Sequence, residues 1–189
     1  ASFVDGTKTM VEMTCVSNAI GFLPTKRGLI GPKATVDELP ALLSLKEQGG
    51  ILERYQVVEY INGIAPGVFV IITTKLPVVR EEMAYLSMGK GPNYVLYRPY
   101  HLASMETPLS AARAYIYHEP TIAPKGAMIS ETVAVAKKDL KAGQFLDGIG
   151  EYTVYGLTDT YDNAKKDNAL PLGLVNPNVK LKTDVKKGE

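Results

Sequence analysis

Thr107-Pro108-Leu109-Ser110-Ala111-Ala112-Arg113-Ala114-Tyr115-Ile116-Tyr117-His118-Glu119-Pro120-Thr121-Ile122-Ala123-Pro124 is the stretch on which the organisation of the chain turns. Thr107 as a cap and Pro108 at the first helical position open a helix, which the alanines and Tyr115 carry to about Glu119. Pro120 and Pro124 then stop it. Before this stretch, helical periodicity alternates with Val, Ile and Tyr-rich runs; after it come only short strands and turns. The reading therefore places a boundary here, with an α+β domain over 1–123 and a small, mostly β module over 124–189.

Upstream, apolar residues at Met10, Val11, Met13, Val16, Ala19 and Ile20 predict a mostly buried helix over 7–20 that stops at Gly21. Thr35 and Glu38 form a capping-box pattern opening a second helix, whose leucines run through Leu39, Leu42, Leu43 and Leu45 to Gly49-Gly50. Ile51 to Ile61 and Val68 to Thr74 read as strands separated by Asn62-Gly63 and Pro66-Gly67, implying a hairpin or mixed sheet. A helix over 77–88 and a strand at Tyr94 to Tyr97 complete the first domain. Its expected architecture is a mixed or antiparallel sheet with helices on one face.

Downstream, Val133 to Ala136, Tyr152 to Tyr155 and Val179 to Leu181 are the strand candidates. Val135-Ala136-Lys137-Lys138-Asp139-Leu140-Lys141-Ala142-Gly143-Gln144 is echoed by Lys180-Leu181-Lys182-Thr183-Asp184-Val185-Lys186-Lys187-Gly188-Glu189. In each copy a strand leads into Asp, an aliphatic residue and a basic turn with Gly. Two such units predict pseudo-twofold packing.

Lys and Arg total 21 against 20 Asp and Glu, so no broad field exists to recruit nucleic acid or an anionic membrane. An anion site, if present, is local. The one cysteine, Cys15, has no internal disulfide partner and reads as a buried small hydrophobe in a reducing compartment. The longest strongly apolar run, Val68 to Ile72, is far too short for a bilayer span, and a cytoplasmic chain is expected. Both ends read as cut from a longer protein.

The two histidines fall in separate elements, and with no Cys pair the spacing supports no metal site. His118 reads as a structural residue near a helix C-terminus. His101 lies in Tyr97-Arg98-Pro99-Tyr100-His101, where Pro99 stiffens a turn displaying three polar side chains. Arg98 can hold a carboxylate or phosphate, Tyr100 offers a hydroxyl, and His101 can exchange a proton. The alternative is tyrosines in the core, a surface ion pair for Arg98 and a carbonyl partner for His101. Lys8 stands in the first turn of the opening helix, where the dipole disfavours a cation, beside Asp5 and Thr7. It is either aimed at a ligand or part of a solvated end capped by Asp5. The glycines at 28–31 and 89–91 lack the strand, loop and helix setting of a phosphate loop, so no nucleotide fingerprint is present.

Asp5-Gly6-Thr7-Lys8, Tyr97-Arg98-Pro99-Tyr100-His101, Ala136-Lys137-Lys138-Asp139-Leu140 and Leu170-Pro171-Leu172-Gly173-Leu174 together resemble homoserine-dehydrogenase-like proteins that carry a SAF domain. Within that group lies a branch similar to 1-deoxy-D-xylulose 5-phosphate reductoisomerase, which serves isoprenoid biosynthesis. The resemblance implies an N-terminal Rossmann domain that binds NADPH and is absent from this chain, a catalytic and dimerisation domain at 1–123, and a β-clip-like SAF module at 124–189. It further implies a homodimer acting on a small anionic substrate. Lys8 and His101 would be catalytic, and Asp5, Thr7, Arg98 and Tyr100 substrate-binding. A competing reading from another class is a SAF-type module without chemistry that holds a carbohydrate or protein partner.

Overall fold

The computed structural model describes residues 4–64, 66–101 and 104–189. In chain order its elements are α1 (Thr7–Ile20), β1 (Leu23–Pro24), α2 (Leu39–Leu42), β2 (Val57–Val58), β3 (Val68–Thr73), α3 (Pro77–Tyr85), β4 (Asn93–Arg98), α4 (Thr107–Ala112), β5 (Ser130–Ala136), β6 (Val154–Thr160) and α5 (Tyr161–Lys166). The described strands form three two-stranded sheets: β1 with β2 parallel, β3 with β4 antiparallel and β5 with β6 antiparallel. The fold is α+β, as the alternation of patterns requires.

Two compact units are assembled from interleaved segments. One holds residues 1–30, 56–60 and 122–189, and the other 31–55 and 61–121. Helix α1 therefore belongs with β5 and β6, more than a hundred residues downstream, and not with the strands of 61–121. The contiguous 1–123 block of the sequence reading is divided between the two.

The seat of α1 corrects the sequence reading in a second way. Its buried residues are Thr7, Met10, Thr14, Ser17 and Asn18, whereas Val11 and Ile20 are exposed. Cys15 is exposed too, not a buried hydrophobe. The inward stripe follows the helical period, but it is polar because β5 and β6 present hydroxyl and backbone groups to it. Thr132 Oγ1 donates to Thr14 Oγ1 at 2.8 Å, Thr14 donates to Thr158 Oγ1 at 3.2 Å, and Thr158 donates to the Met10 carbonyl at 2.7 Å. Asn18 Nδ2 donates to the Ser130 carbonyl, while its Oδ1 accepts from the amides of Ile129 and Ser130. Each buried polar group thus has a partner, the condition for a polar seam to be stable.

The pseudo-twofold module is realised bond for bond. Leu140 and Val185 exchange both amide hydrogen bonds, at 2.8 and 3.0 Å. Asp139 accepts from the Lys187 amide and Lys186 Nζ, and Asp184 from the equivalent Ala142 amide and Lys141 Nζ. Gly143 and Gly188, the matching turn glycines, both sit at left-handed φ (83° and 89°). Ala136, Leu140, Leu146, Val154, Leu172 and Val175 fill the core beneath. Val179 to Leu181 is not a regular strand, however; it contributes a bridge between Lys180 and Phe145. Strand β6 starts at Val154, because Asp147 draws the amides of Tyr152 and Thr153 into a turn, and it runs on to Thr160.

Backbone amide bonds first, then lysine pairs, hold the carboxyls of Asp139 and Asp184 below their ordinary value. At Asp147 burial opposes ionisation, but the Thr153 hydroxyl and two amides outweigh it. A carboxyl depressed in the folded state contributes stability above its unfolded pKa of about 3.9, and that contribution is lost as pH falls through the folded value. Urea midpoints should therefore be level above a pH of about 5 and fall steadily below about 4. Joint Asp139→Asn and Asp184→Asn substitution should flatten that acid slope; an unchanged slope would show that these turns do not carry the effect.

In the other unit, the capping box forms as expected, yet it opens a single 3-10 turn at Val36–Glu38 followed by the four-residue α2 with Pro40 in its first turn. Leu39 and Leu43 are core, so the leucine face is real although the long helix is not. The expected strand over 51–61 shrinks to β2, since Gln56 adopts a left-handed φ of 61° that no strand accommodates. The partner of β3 is β4, with Val70 opposite Leu96, and not the 51–61 segment. Directly after α4 the helix continues over Arg113–Tyr117, widens to a π turn and ends on His118 at φ 54°.

Candidate functional site

Strand β4 ends at Arg98 and delivers it to the Pro99-Tyr100-His101 turn. The Arg98 Cζ lies 4.3 Å from the centroid of the Tyr100 ring, which is half exposed. Its Nη2 donates to Glu106 Oε2 at 2.5 Å, and that bond, ahead of weaker help from Tyr100, holds the guanidinium pKa up. Arg98 Nε and His101 Nδ1 are both buried and have no hydrogen-bond partner among the described residues. Two orphaned polar nitrogens three positions apart are unusual, because an unsatisfied buried polar group costs about 1–3 kcal/mol. Leu102 and Ala103, next in the chain, lie outside the described residues.

The other expected residues lie at the entrance of α1, in the other compact unit. Gly6 takes a left-handed φ of 80° and turns the chain so that Asp5 Oδ1 accepts from the Thr7 amide at 3.0 Å. Asp5 also pairs with Lys137 Nζ at 2.6 Å, and Lys137 donates in turn to the Glu151 carbonyl. Burial opposes ionisation of Asp5, but Lys137 and Thr7 together pull its pKa below the ordinary value. Thr7 is buried, its hydroxyl accepting from the Gly156 amide at 3.0 Å, so its polar atom is engaged within the core. A Cβ added at Gly156 would come within 3.3 Å of Thr7 Cγ2 and 2.7 Å of Leu172, so a glycine here lets α1 and the Leu172 turn both approach the strand closely. Lys8 is exposed at the first turn of α1.

The structure thus gathers Arg98, Tyr100 and His101 on one turn, and Asp5, Thr7 and Lys8 at one helix entrance. Sequence reasoning missed Glu106 and Lys137. Nothing in the spacing from Arg98 to Glu106 announces their pairing. Lys137 did carry a signal: it stands in one copy of the pseudo-repeat, and its counterpart Lys182 is left exposed. His118 caps its helix in the left-handed conformation, a structural position.

Residues 1–107 match the family described as Oxidoreductase DRL, catalytic domain. The chain belongs to that family. It is accordingly an oxidoreductase catalytic domain, and the match takes in both clusters, from Asp5 through to Glu106. No curated protein matches the chain. Among the described residues of this DRL-family domain, no helix is long and apolar enough to cross a membrane, and no group of three or more His, Cys, Asp or Glu converges.

Proposed function

We propose that this chain is the substrate side of an NAD(P)H-dependent oxidoreductase acting on a small anionic hydroxy-carbonyl compound. The orphaned nitrogens of Arg98 and His101 within the family's matched residues carry the reading. Arg98 anchors an acidic or hydroxyl oxygen, while His101 polarises the carbonyl and supplies the proton its oxygen gains as the carbon gains hydride; Lys8, at the entrance of α1 in the other unit, is a separate proton-handling candidate. NADPH supplies that hydride. The glycines at 89–91 lead into strand β4 and not into a helix; the resemblance assigns the nucleotide to a Rossmann domain elsewhere in the protein. The Asp139 and Asp184 repeat supports the SAF-like reading of 124–189, and the resemblance makes a phosphorylated keto sugar the first substrate to try. The exposed Val68, Val70 and Leu96 on the β3 and β4 ribbon support a homodimer.

The test compares the chain alone with the same chain joined to its Rossmann domain. The joined protein should sediment as a dimer and oxidise NADPH with 1-deoxy-D-xylulose 5-phosphate, and residues 1–189 alone should do neither the binding nor the turnover. Tight stoichiometric NADPH binding to 1–189 in calorimetry would overturn the division of labour. Failure of the joined protein to oxidise NADPH with any small hydroxy-carbonyl acid or phosphate would overturn the assignment.

A further inference from the structure

The guanidinium of Arg98 is clamped before any ligand arrives. Glu106 Oε2 takes Nη2 at 2.5 Å and the Tyr100 ring lies 4.3 Å from Cζ, which fixes the plane of the group. Pro99 between them limits the backbone. Glu106 does more than position: it places a full negative charge on one corner of the only side-chain cation of this turn. The buried Nε, with His101 Nδ1 three residues on, is left to meet a ligand.

An oxygen accepting from Nε encounters a guanidinium whose net charge Glu106 has already cancelled. A hydroxyl can accept from Nε and donate to Nδ1, and a carboxylate gains the hydrogen bond while repelling Glu106 through one charge. A phosphate dianion gains the same bond and doubles the repulsion.

We propose that Glu106 sets the charge selectivity of the Arg98 turn, admitting a carboxylate or hydroxyl oxygen and disfavouring a phosphate dianion. This rests on the reading of Arg98 and His101 as a ligand-binding element, and it assigns any phosphate on the substrate to other residues. At the separations of a shared guanidinium, one extra unit charge near a protein surface changes affinity by about tenfold.

The probes are acetate and inorganic phosphate, titrated into the complete chain at a pH where phosphate is a dianion. Binding is followed on the Arg98 Nε–H and His101 ring signals by NMR. In the wild type, acetate should perturb these signals at lower concentration than phosphate. Glu106→Gln keeps the shape and an acceptor oxygen on a side chain that is 43% exposed, so folding is preserved. It should tighten acetate about tenfold and phosphate about a hundredfold, reversing the order. Equal changes for both probes, no change for either, a wild type that already prefers phosphate, or no perturbation by either probe in both proteins would overturn the selectivity role. Arg98→Ala separates the two ideas. If it abolishes probe binding while Glu106→Gln leaves selectivity unaltered, Glu106 alone is misassigned; if probe binding persists without Arg98, the ligand-binding reading of the turn falls as well.

Discussion

Asn18→Leu should destabilise the unit that contains α1 by about 4 kcal/mol, even though leucine is the better helix former and the site is buried. The substitution removes three hydrogen bonds at once. It leaves the amides of Ile129 and Ser130 and the carbonyl of Ser130 without partners where β5 begins, at a residue with no exposed surface. Each orphan costs about 1–3 kcal/mol, and the apolar area gained by leucine returns only part of that. With native domains stable by about 5–15 kcal/mol, the loss is a large fraction of the total. Asn18→Asp keeps acceptors for both amides but faces the Ser130 carbonyl with a second acceptor, so it should fall between wild type and leucine. Urea unfolding measures the order. A leucine variant within about 1 kcal/mol of wild type would mean that the polar seam between α1 and β5 does not hold the helix in place. Because that helix carries Asp5, Thr7 and Lys8, the same variant should also disturb the candidate site from its far end.

In the complete enzyme, Arg98→Ala should weaken substrate binding about a hundredfold, with a far smaller effect on the maximal rate. A charge-assisted hydrogen bond is stronger than a neutral one, and alanine also strands Glu106 without its partner. His101→Ala, and separately Lys8→Ala at the α1 entrance, should each instead depress kcat by about a hundredfold or more with KM little changed, as expected for a group that handles a proton in the chemical step. None of the three should unfold the protein, since Arg98 is 41% exposed and no residue of the three is in the buried core. Steady-state kinetics with circular dichroism as a folding control would distinguish these outcomes. Undiminished turnover in all three would return both clusters to structural roles and leave the oxidoreductase assignment on family membership alone.

Local signals were legible wherever the physics is local. The bounds of α1 follow from its period and from Gly21, whose left-handed φ of 81° ends the helix. β3 and β4 follow from runs of Val, Ile and Tyr, and the Thr35 and Glu38 capping box forms as the pair predicts. The repeat of Asp, aliphatic residue, basic residue and Gly predicts the reciprocal turns at 139–144 and 184–189, because each copy carries the groups that satisfy the other. Arg98, Pro99, Tyr100 and His101 are adjacent in sequence, so their sharing of one turn needed no long-range information.

What the sequence by itself determined, then, is the α+β class, most element positions, the pseudo-twofold module and the oxidoreductase family. Tertiary structure alone decided which way each element faces and what it meets. α1 turns Thr14 and Asn18 inward and Val11 and Cys15 outward because hydroxyls and free amides of β5 and β6 lie opposite, and such a partner cannot be read from the helix's own apolar pattern. β3 skips the 51–61 segment for β4 because Gln56 breaks that segment, a backbone conformation set by surroundings and not by propensity. Glu106 reaches Arg98, and Lys137 reaches Asp5, for the same reason: ion pairs form between side chains that the fold brings within a few ångströms, and separation along the chain carries no record of that distance.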